Sequence, residues 1–337
     1  MRFKHTIKKT LADSLVGIGV DRLGRWINRH KLLTVMYHGI TRQNYDPPVW
    51  TQLPVDVFEA QIEFLTKYYK PVSLKQVVAA INGETVLPER ALLITFDDGL
   101  RNNATVAWPV LQKYEVPAAI FLTVDFIGTD KFFWVDELYL YLVEAEKSRV
   151  DLHLGRFGKA ESLLNGGDTW DAYLNIVEAL KRVSDAEREN LLQELQQQVS
   201  FDRNTYFEDF GLLDWDQVMA MANSGLISFG AHTATHQILT QMDLIRVESE
   251  LIEPRKKLTK ILGRNVTEFC YPNGRSGLDF TADHSALLQQ IGYCCAFSTD
   301  CKFFQPAVEN PFSIGRIPAG NDLTSYPNKF RLSTAGF

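Results

Sequence analysis

Cysteine is scarce. The chain of 337 residues has four, Cys270, Cys294, Cys295 and Cys301, and no Cys-x-x-Cys pair. That number cannot form a disulfide scaffold at this length, and the spacing argues against a cysteine zinc site. A reducing compartment is the simpler expectation. Positive charge is also in deficit: 35 Lys and Arg against 41 Asp and Glu give a net charge of −6. The overall basic footprint of a nucleic-acid binder is therefore missing. No apolar run approaches the roughly 18 residues that a membrane-spanning helix needs. Internal repeats and low-complexity tracts are absent. What remains is ordinary for a folded chain, 45% hydrophobic and 23% charged, which excludes disordered and fibrous classes. The length suggests one large α/β barrel or two modest domains.

Charge is distributed unevenly. Residues 1–31 hold eight Lys and Arg and two acids, net +6, leaving −12 for the rest. The apolar stretch 15–20 is short and contains Gly17 and Gly19, so it makes a poor secretory leader. Ile7, Leu11, Leu15 and Ile18 recur at helical spacing, with Trp26 and Ile27 beyond them. Two readings stand. Residues 1–31 form a basic amphipathic helix in peripheral contact with an anionic membrane, or a helix packed on the main domain; without an export signal the expectation is a cytoplasmic protein, at the inner membrane face on the first of these readings.

From residue 32 onwards, buried-strand runs alternate with helical periodicity. Strands are expected over 32–37, 72–74, 91–96 and 118–124, with helices over 55–69, 74–81 and 104–114 between them. This rhythm predicts an α/β fold of parallel strands with crossover helices. It breaks near residue 130. The stretch from about 130 to 215 is polar and helical, best over 135–147 and 186–199, with Gly155, Gly158 and Gly166-Gly167 marking loops. It reads as an insertion whose aromatics (Phe132, Phe133, Trp134, Trp170, Tyr173) either cover a cleft or pack helices onto the barrel. Strands return over 226–230, 268–271, 294–298 and 314–317, with helices over 244–262 and 282–291.

Three motifs fall at strand ends, where active sites of parallel α/β folds collect. Thr95-Phe96-Asp97-Asp98-Gly99 sends two adjacent carboxylates in different directions, one able to bind metal while the other faces a substrate; an ordinary turn is the alternative. His232-Thr233-Ala234-Thr235-His236 places two imidazoles at i, i+4, a pair that one helical turn would present to a single ion. With one carboxylate from the first motif this makes a metal set with open positions, suited to catalysis. Thr233 or Thr235 could orient the ligands. Phe269-Cys270-Tyr271-Pro272-Asn273-Gly274 runs a strand into a turn that can aim a backbone N–H at a developing oxyanion, though a plain turn is the commoner use.

The first two motifs, in this order and at this separation, resemble the polysaccharide deacetylase (carbohydrate esterase) family. The resemblance covers roughly residues 32–128 and 226–320. It implies a distorted (β/α) barrel of about seven parallel strands, open on one side where a glycan lies. It also implies metal-dependent removal of N-acetyl groups from a poly- or oligosaccharide, in surface-glycan biosynthesis. By position, Asp97 becomes the general base, Asp98, His232 and His236 the ligands of a divalent metal expected to be Zn²⁺, and the Tyr271 N–H the oxyanion donor. The commonest family pattern has a histidine near the C-terminus, and none follows His284, which sits in a helix-like stretch. Met36-Tyr37-His38-Gly39 instead resembles a subset with permuted motifs, in which the histidine at the first strand's end, here His38, supplies the general acid. Cys270 stands in the apparent place of the family's arginine. Arg316, after the last strand, could pair with Asp97 in its stead or form only a surface salt bridge. An O-acetyl ester or small amide as substrate, or a silent carbohydrate-binding relative, are the competing functions; the presence of all five site residues argues against the last.

Overall fold

Why the strands form is plain from their composition. Ala91–Phe96 has one polar residue in six, and every position is buried, as a strand covered on both faces requires. In the computed structural model, which describes residues 2–46, 48–150, 152–155, 169–320 and 326–337 (for 2–9 and 169–172 the backbone alone), this strand, β5, lies near the middle of the sheet. Its neighbours are β1 (Leu33–Tyr37), β6 (Ala118–Leu122), β7 (Ile227–Ala231), β8 (Glu268–Cys270), β9 (Cys295–Phe297) and β10 (Ile317–Pro318). The order is β10-β1-β5-β6-β7-β8-β9, every pairing parallel, with β4 (Lys70–Pro71) beside the start of β5. Seven parallel strands thus curl into the expected distorted barrel. Among the described residues no ladder joins β9 to β10; a single bridge from Phe297 to Ile314 spans the seam.

Register fixes the site. Tyr37 pairs with Phe96, Leu122 with Ala231, and Cys270 with Phe297. Parallel strands in this register bring His38, Asp97, His232 and Tyr271, each the next residue of its strand, to one rim.

The connecting helices follow the periodicity: α3 (Val55–Tyr68), α4 (Leu74–Ile81), α11 (Leu244–Leu262) and α12 (Ala282–Ile291). Three expectations need correction. The helix over 104–114 opens as a π-turn (Asn103–Ala107) before α5 (Trp108–Lys113). Pro109 has no N–H to donate to Thr105, whose carbonyl instead accepts from Arg42. The strand over 314–317 shrinks to β10, because Ile314 serves the seam and the Arg316 N–H donates to the Asp300 carbonyl at 3.0 Å. The strand over 72–74 shifts to β4; Ser73 instead caps α4. A two-stranded pair, β2 (Gly39–Thr41) and β3 (Gln52–Pro54), was not expected; it follows His38 directly.

The insertion forms its own core. α6 (Trp134–Ser148), α7 (Thr169–Leu180), α8 (Asp185–Gln198) and α9 (Arg203–Phe210) gather Phe132, Leu138, Tyr173, Leu191, Leu195 and Phe210 into a separate apolar cluster, and α10 (Trp215–Asn223) leads back to β7. The loops expected at Gly158 and Gly166-Gly167, and the side chain of Trp170, lie outside the described residues. Asp136, in the first turn of α6, is fully buried and accepts from Thr51 Oγ1 at 2.9 Å. Burial pushes its carboxyl up to about 8 against the Thr51 hydrogen bond, with Asp98 and Glu137 adding to the rise. The folded chain therefore keeps the proton that the unfolded chain sheds near its ordinary value of 3.8. Stability is lost as pH rises from about 4 to about 8, by up to roughly 1.4 kcal/mol per unit. Asp136→Asn should remove that slope, measured as Tm against pH; an unchanged slope would mean that Asp136 is ionised in the fold.

Residues 1–31 form two helices rather than one, α1 (Arg2–Gly17) and α2 (Val20–Ile27), broken at Gly19 with φ 84°. Both pack against α13 (Pro327–Ser333). Gly24 permits the approach, since a Cβ there would lie 2.4 Å from the Ala335 carbonyl oxygen.

Candidate active site

Asp97 and Asp98 leave β5 in opposite senses because the backbone turns between them. Asp98 has φ 75° and Gly99 φ 82°, and a Cβ on Gly99 would come within 2.5 Å of Leu122 Cδ2. Aspartate tolerates the left-handed region better than most residues. The two carboxylates then meet different partners.

Asp97 is gripped by Arg316. Nη1 donates to Oδ1 at 2.6 Å and Nη2 to Oδ2 at 2.8 Å, a bidentate pair. Arg316 is 0% exposed, so the surface-bridge alternative falls. Its Nε donates to the Ser298 carbonyl at 3.0 Å. Burial would raise the Asp97 carboxyl, but the Arg316 guanidinium outweighs it and holds the acid well below the usual range. Cys270 does face this spot, with Sγ 3.5 Å from Asp97 Oδ1, so the guanidinium arrives from before β10 instead of from β8.

Asp98 meets the histidines. Its buried Oδ1 has no hydrogen bond in good geometry, yet His236 Nε2 lies 3.2 Å and His232 Nε2 3.5 Å away. Two imidazole nitrogens converging with one orphaned carboxylate oxygen fit a cation, and Asp98, His232 and His236 form a group able to hold a metal ion. His232 Nδ1 lies 2.8 Å from the Cys270 carbonyl, which can only accept, so the proton sits on Nδ1 and Nε2 is free to ligate. Burial pushes His232 down to about 4, which keeps the ring neutral. A second grouping, Asp97, His232 and Cys270, is a poorer cage. Both Asp97 oxygens are taken by Arg316, and burial pushes the Cys270 thiol well up, away from the thiolate that metals prefer.

The histidine pair is not on a helical turn. Residues 232–236 form a loop after β7, with positive φ at Thr233 (61°) and His236 (64°). The physical reason is Glu250, from α11. Its Oε2 accepts from the N–H groups of Ala234 (2.8 Å) and Thr235 (2.9 Å), and its Oε1 from Thr235 Oγ1. Thr233 Oγ1 accepts from the His236 N–H at 2.9 Å. Glu250 carried no signal in its local sequence. Glu250→Ala should weaken divalent-metal affinity by roughly 10- to 100-fold in calorimetric titration; unaltered affinity would mean that the loop is held without it.

His38 lines the same cavity of about 240 Å³, together with Asp97, Asp98, His232 and His236. Its carbonyl accepts from Asn103 Nδ2 at 2.7 Å, and its ring stands edge-on to Trp50, centroids 5.1 Å apart. His284 lies elsewhere, its Nδ1 accepting from the Thr281 N–H within the cap of α12. The Tyr271 N–H is a correction. It donates to the Phe297 carbonyl at 3.1 Å, continuing the β8–β9 ladder, and is not available as an oxyanion donor. Two residues on, Asn273 has φ 57° and lines the cavity, and among the described residues its N–H has no acceptor. The motif was legible; which N–H it frees depends on where the ladder stops. From the insertion, Phe133, Trp134 and Arg188 wall the cavity, while Phe132 and Tyr173 pack its core, so the aromatics do both jobs considered for them.

Comparison with known proteins agrees with this geometry. YxkH of Bacillus subtilis (strain 168) is 33% identical over 112 residues, 32% of this chain and 38% of that protein. The poly-β-1,6-N-acetyl-D-glucosamine N-deacetylase of Escherichia coli (strain K12) is 44% identical over 50 residues, 15% of this chain and 7% of that enzyme. The matches thus span well under half of these relatives. In fold, the Streptococcus pyogenes deacetylase PplD, solved with acetate, has a TM-score of 0.58 at 17% identity, over 90% of this chain and 98% of that one. IcaB from Ammonifex degensii gives 0.57 at 16%, over 90% and 97%. A model of the polysaccharide deacetylase family matches residues 85–296. That span takes in Asp97, Asp98 and both histidines and well over half of the sequence, and the chain belongs to the polysaccharide deacetylase family.

Proposed function

We propose that the protein hydrolyses N-acetyl groups on the sugars of a poly- or oligosaccharide, in the assembly of a surface glycan. One observation carries the reading: adjacent carboxylates divided between a guanidinium and an imidazole pair, at one rim of a parallel barrel. The E. coli relative, named for an N-acetylglucosamine polymer, supports the substrate class.

Asp98, His232 and His236 would hold the metal, for which Zn²⁺ suits two imidazoles and a carboxylate. When bound, a divalent cation supplies polarisation of the acetyl carbonyl and acidification of water. Asp97, ionised and oriented by Arg316, accepts the proton of the water whose oxygen bonds to the acetyl carbon. The Asn273 N–H donates to the resulting oxyanion. As the carbon–nitrogen bond breaks, His38 gives a proton to the departing nitrogen. Acetate and a free amine leave. Trp50 and Trp134 both line the cavity, and aromatic rings of this kind pack against sugar rings.

The test is mass spectrometry of N-acetylglucosamine oligosaccharides after incubation with metal-loaded protein, beside O-acetylated glycans and small acetamides. Loss of acetyl from the N-acetylated glycans is expected. Loss from O-acetyl esters or small amides alone would replace the substrate, and no acetate from any of them would end the enzymatic reading.

A further inference from the structure

Helix α2 is inside out. The residues it turns to the domain are Asp21, Gly24 and Arg25, with Asp21 0% and Arg25 6% exposed. Leu23, Trp26 and Ile27 are 54%, 57% and 54% exposed. A helix on an aqueous fold normally buries its apolar stripe and wets its charged one. Here the charged side is satisfied inward. Asp21 accepts from Arg25 and from Arg331 of α13, each at 2.9 Å, and the Arg25 guanidinium lies 4.5 Å from the Tyr68 ring centroid. Leu23, Trp26 and Ile27, at i, i+3 and i+4, form a single outward stripe. Exposed Ile18 and Leu11 add apolar surface on the preceding turn and α1. The Arg29 guanidinium sits 4.9 Å from the Trp26 ring, and Arg22 beside the stripe is exposed.

We infer that α1 and α2 dock the protein on an anionic membrane surface, with Leu23, Trp26 and Ile27 seated at the boundary between headgroups and acyl chains. Charge selects this occupant. The segment carries +6, so a second copy brought face to face would set +6 against +6, whereas anionic lipid offers the opposite sign. Tryptophan and isoleucine beside arginines suit a surface that is oily below and charged above. Among the described residues no helix is long and apolar enough to cross a membrane. This inference does not depend on the deacetylase reading.

Sedimentation of the full chain with phosphatidylcholine vesicles, with and without phosphatidylglycerol, tests it. The protein should pellet with the anionic vesicles at least about tenfold more than with neutral ones. The triple variant Leu23→Ser, Trp26→Ser, Ile27→Ser should lose about tenfold in partitioning while keeping its Tm. Should that variant misfold, Arg22→Glu with Arg29→Glu tests the charge on an intact apolar stripe, and anionic binding must fall. Wild-type protein left in the supernatant would overturn the inference, as would equal pelleting by every variant. A wild-type dimer that the triple variant dissolves, with no lipid binding, would assign the face to a second copy.

Discussion

Replacing Asp97 with Asn should cut acetate release by about 10²- to 10⁴-fold, the range for loss of a positioned base, without emptying the metal site. Both Asp97 oxygens accept from Arg316, and the converging donors belong to Asp98, His232 and His236. Asn has nearly the same shape but cannot take a proton from water. Elemental analysis of the loaded variant should therefore match wild type while turnover collapses. Near-full activity would remove Asp97 from the reaction, and loss of the metal would make it a ligand instead.

Arg316→Met is expected to destabilise the fold by about 3–5 kcal/mol, because it leaves the Asp97 carboxylate buried without its counter-ion. The loss should read as a large fall in Tm, with activity falling too as the base loses its orientation. The decisive comparison is the double variant Asp97→Asn, Arg316→Met. It removes both charges and should recover most of the lost stability while staying inactive, a strongly non-additive cycle. Additive losses would mean that Arg316 stabilises through Ser298 and Thr95, its other partners, and that the ion pair contributes little.

What could be read in advance depended on where the information sits along the chain. Asp97-Asp98-Gly99 and the two histidines were legible because each role is carried within a few residues of a buried strand's end, and β5 and β7 are apolar enough to announce themselves. Arg316 was legible only as an option, since its partner lies 219 residues away. Glu250 and Asp136 left no local trace, because each acts by closing a tertiary hydrogen bond from a helix that looks ordinary in sequence. The spacing of His232 and His236 suggested a helical turn, and the same spacing served a loop once Glu250 claimed its N–H groups. For α2 the pattern was visible but its direction was not. Leu23, Trp26 and Ile27 would be a buried stripe in most proteins, and the Asp21–Arg331 pair, 310 residues apart, reverses it.

The unclosed seam has a consequence for ancestry. A rim assembled from the tips of parallel strands makes the site indifferent to the order in which the chain visits them. Cys270 Sγ, from β8, and the Arg316 guanidinium, from before β10, reach the same Asp97 carboxylate from different strands. A chain whose signature residues come in a different order can therefore present the same side chains at the rim.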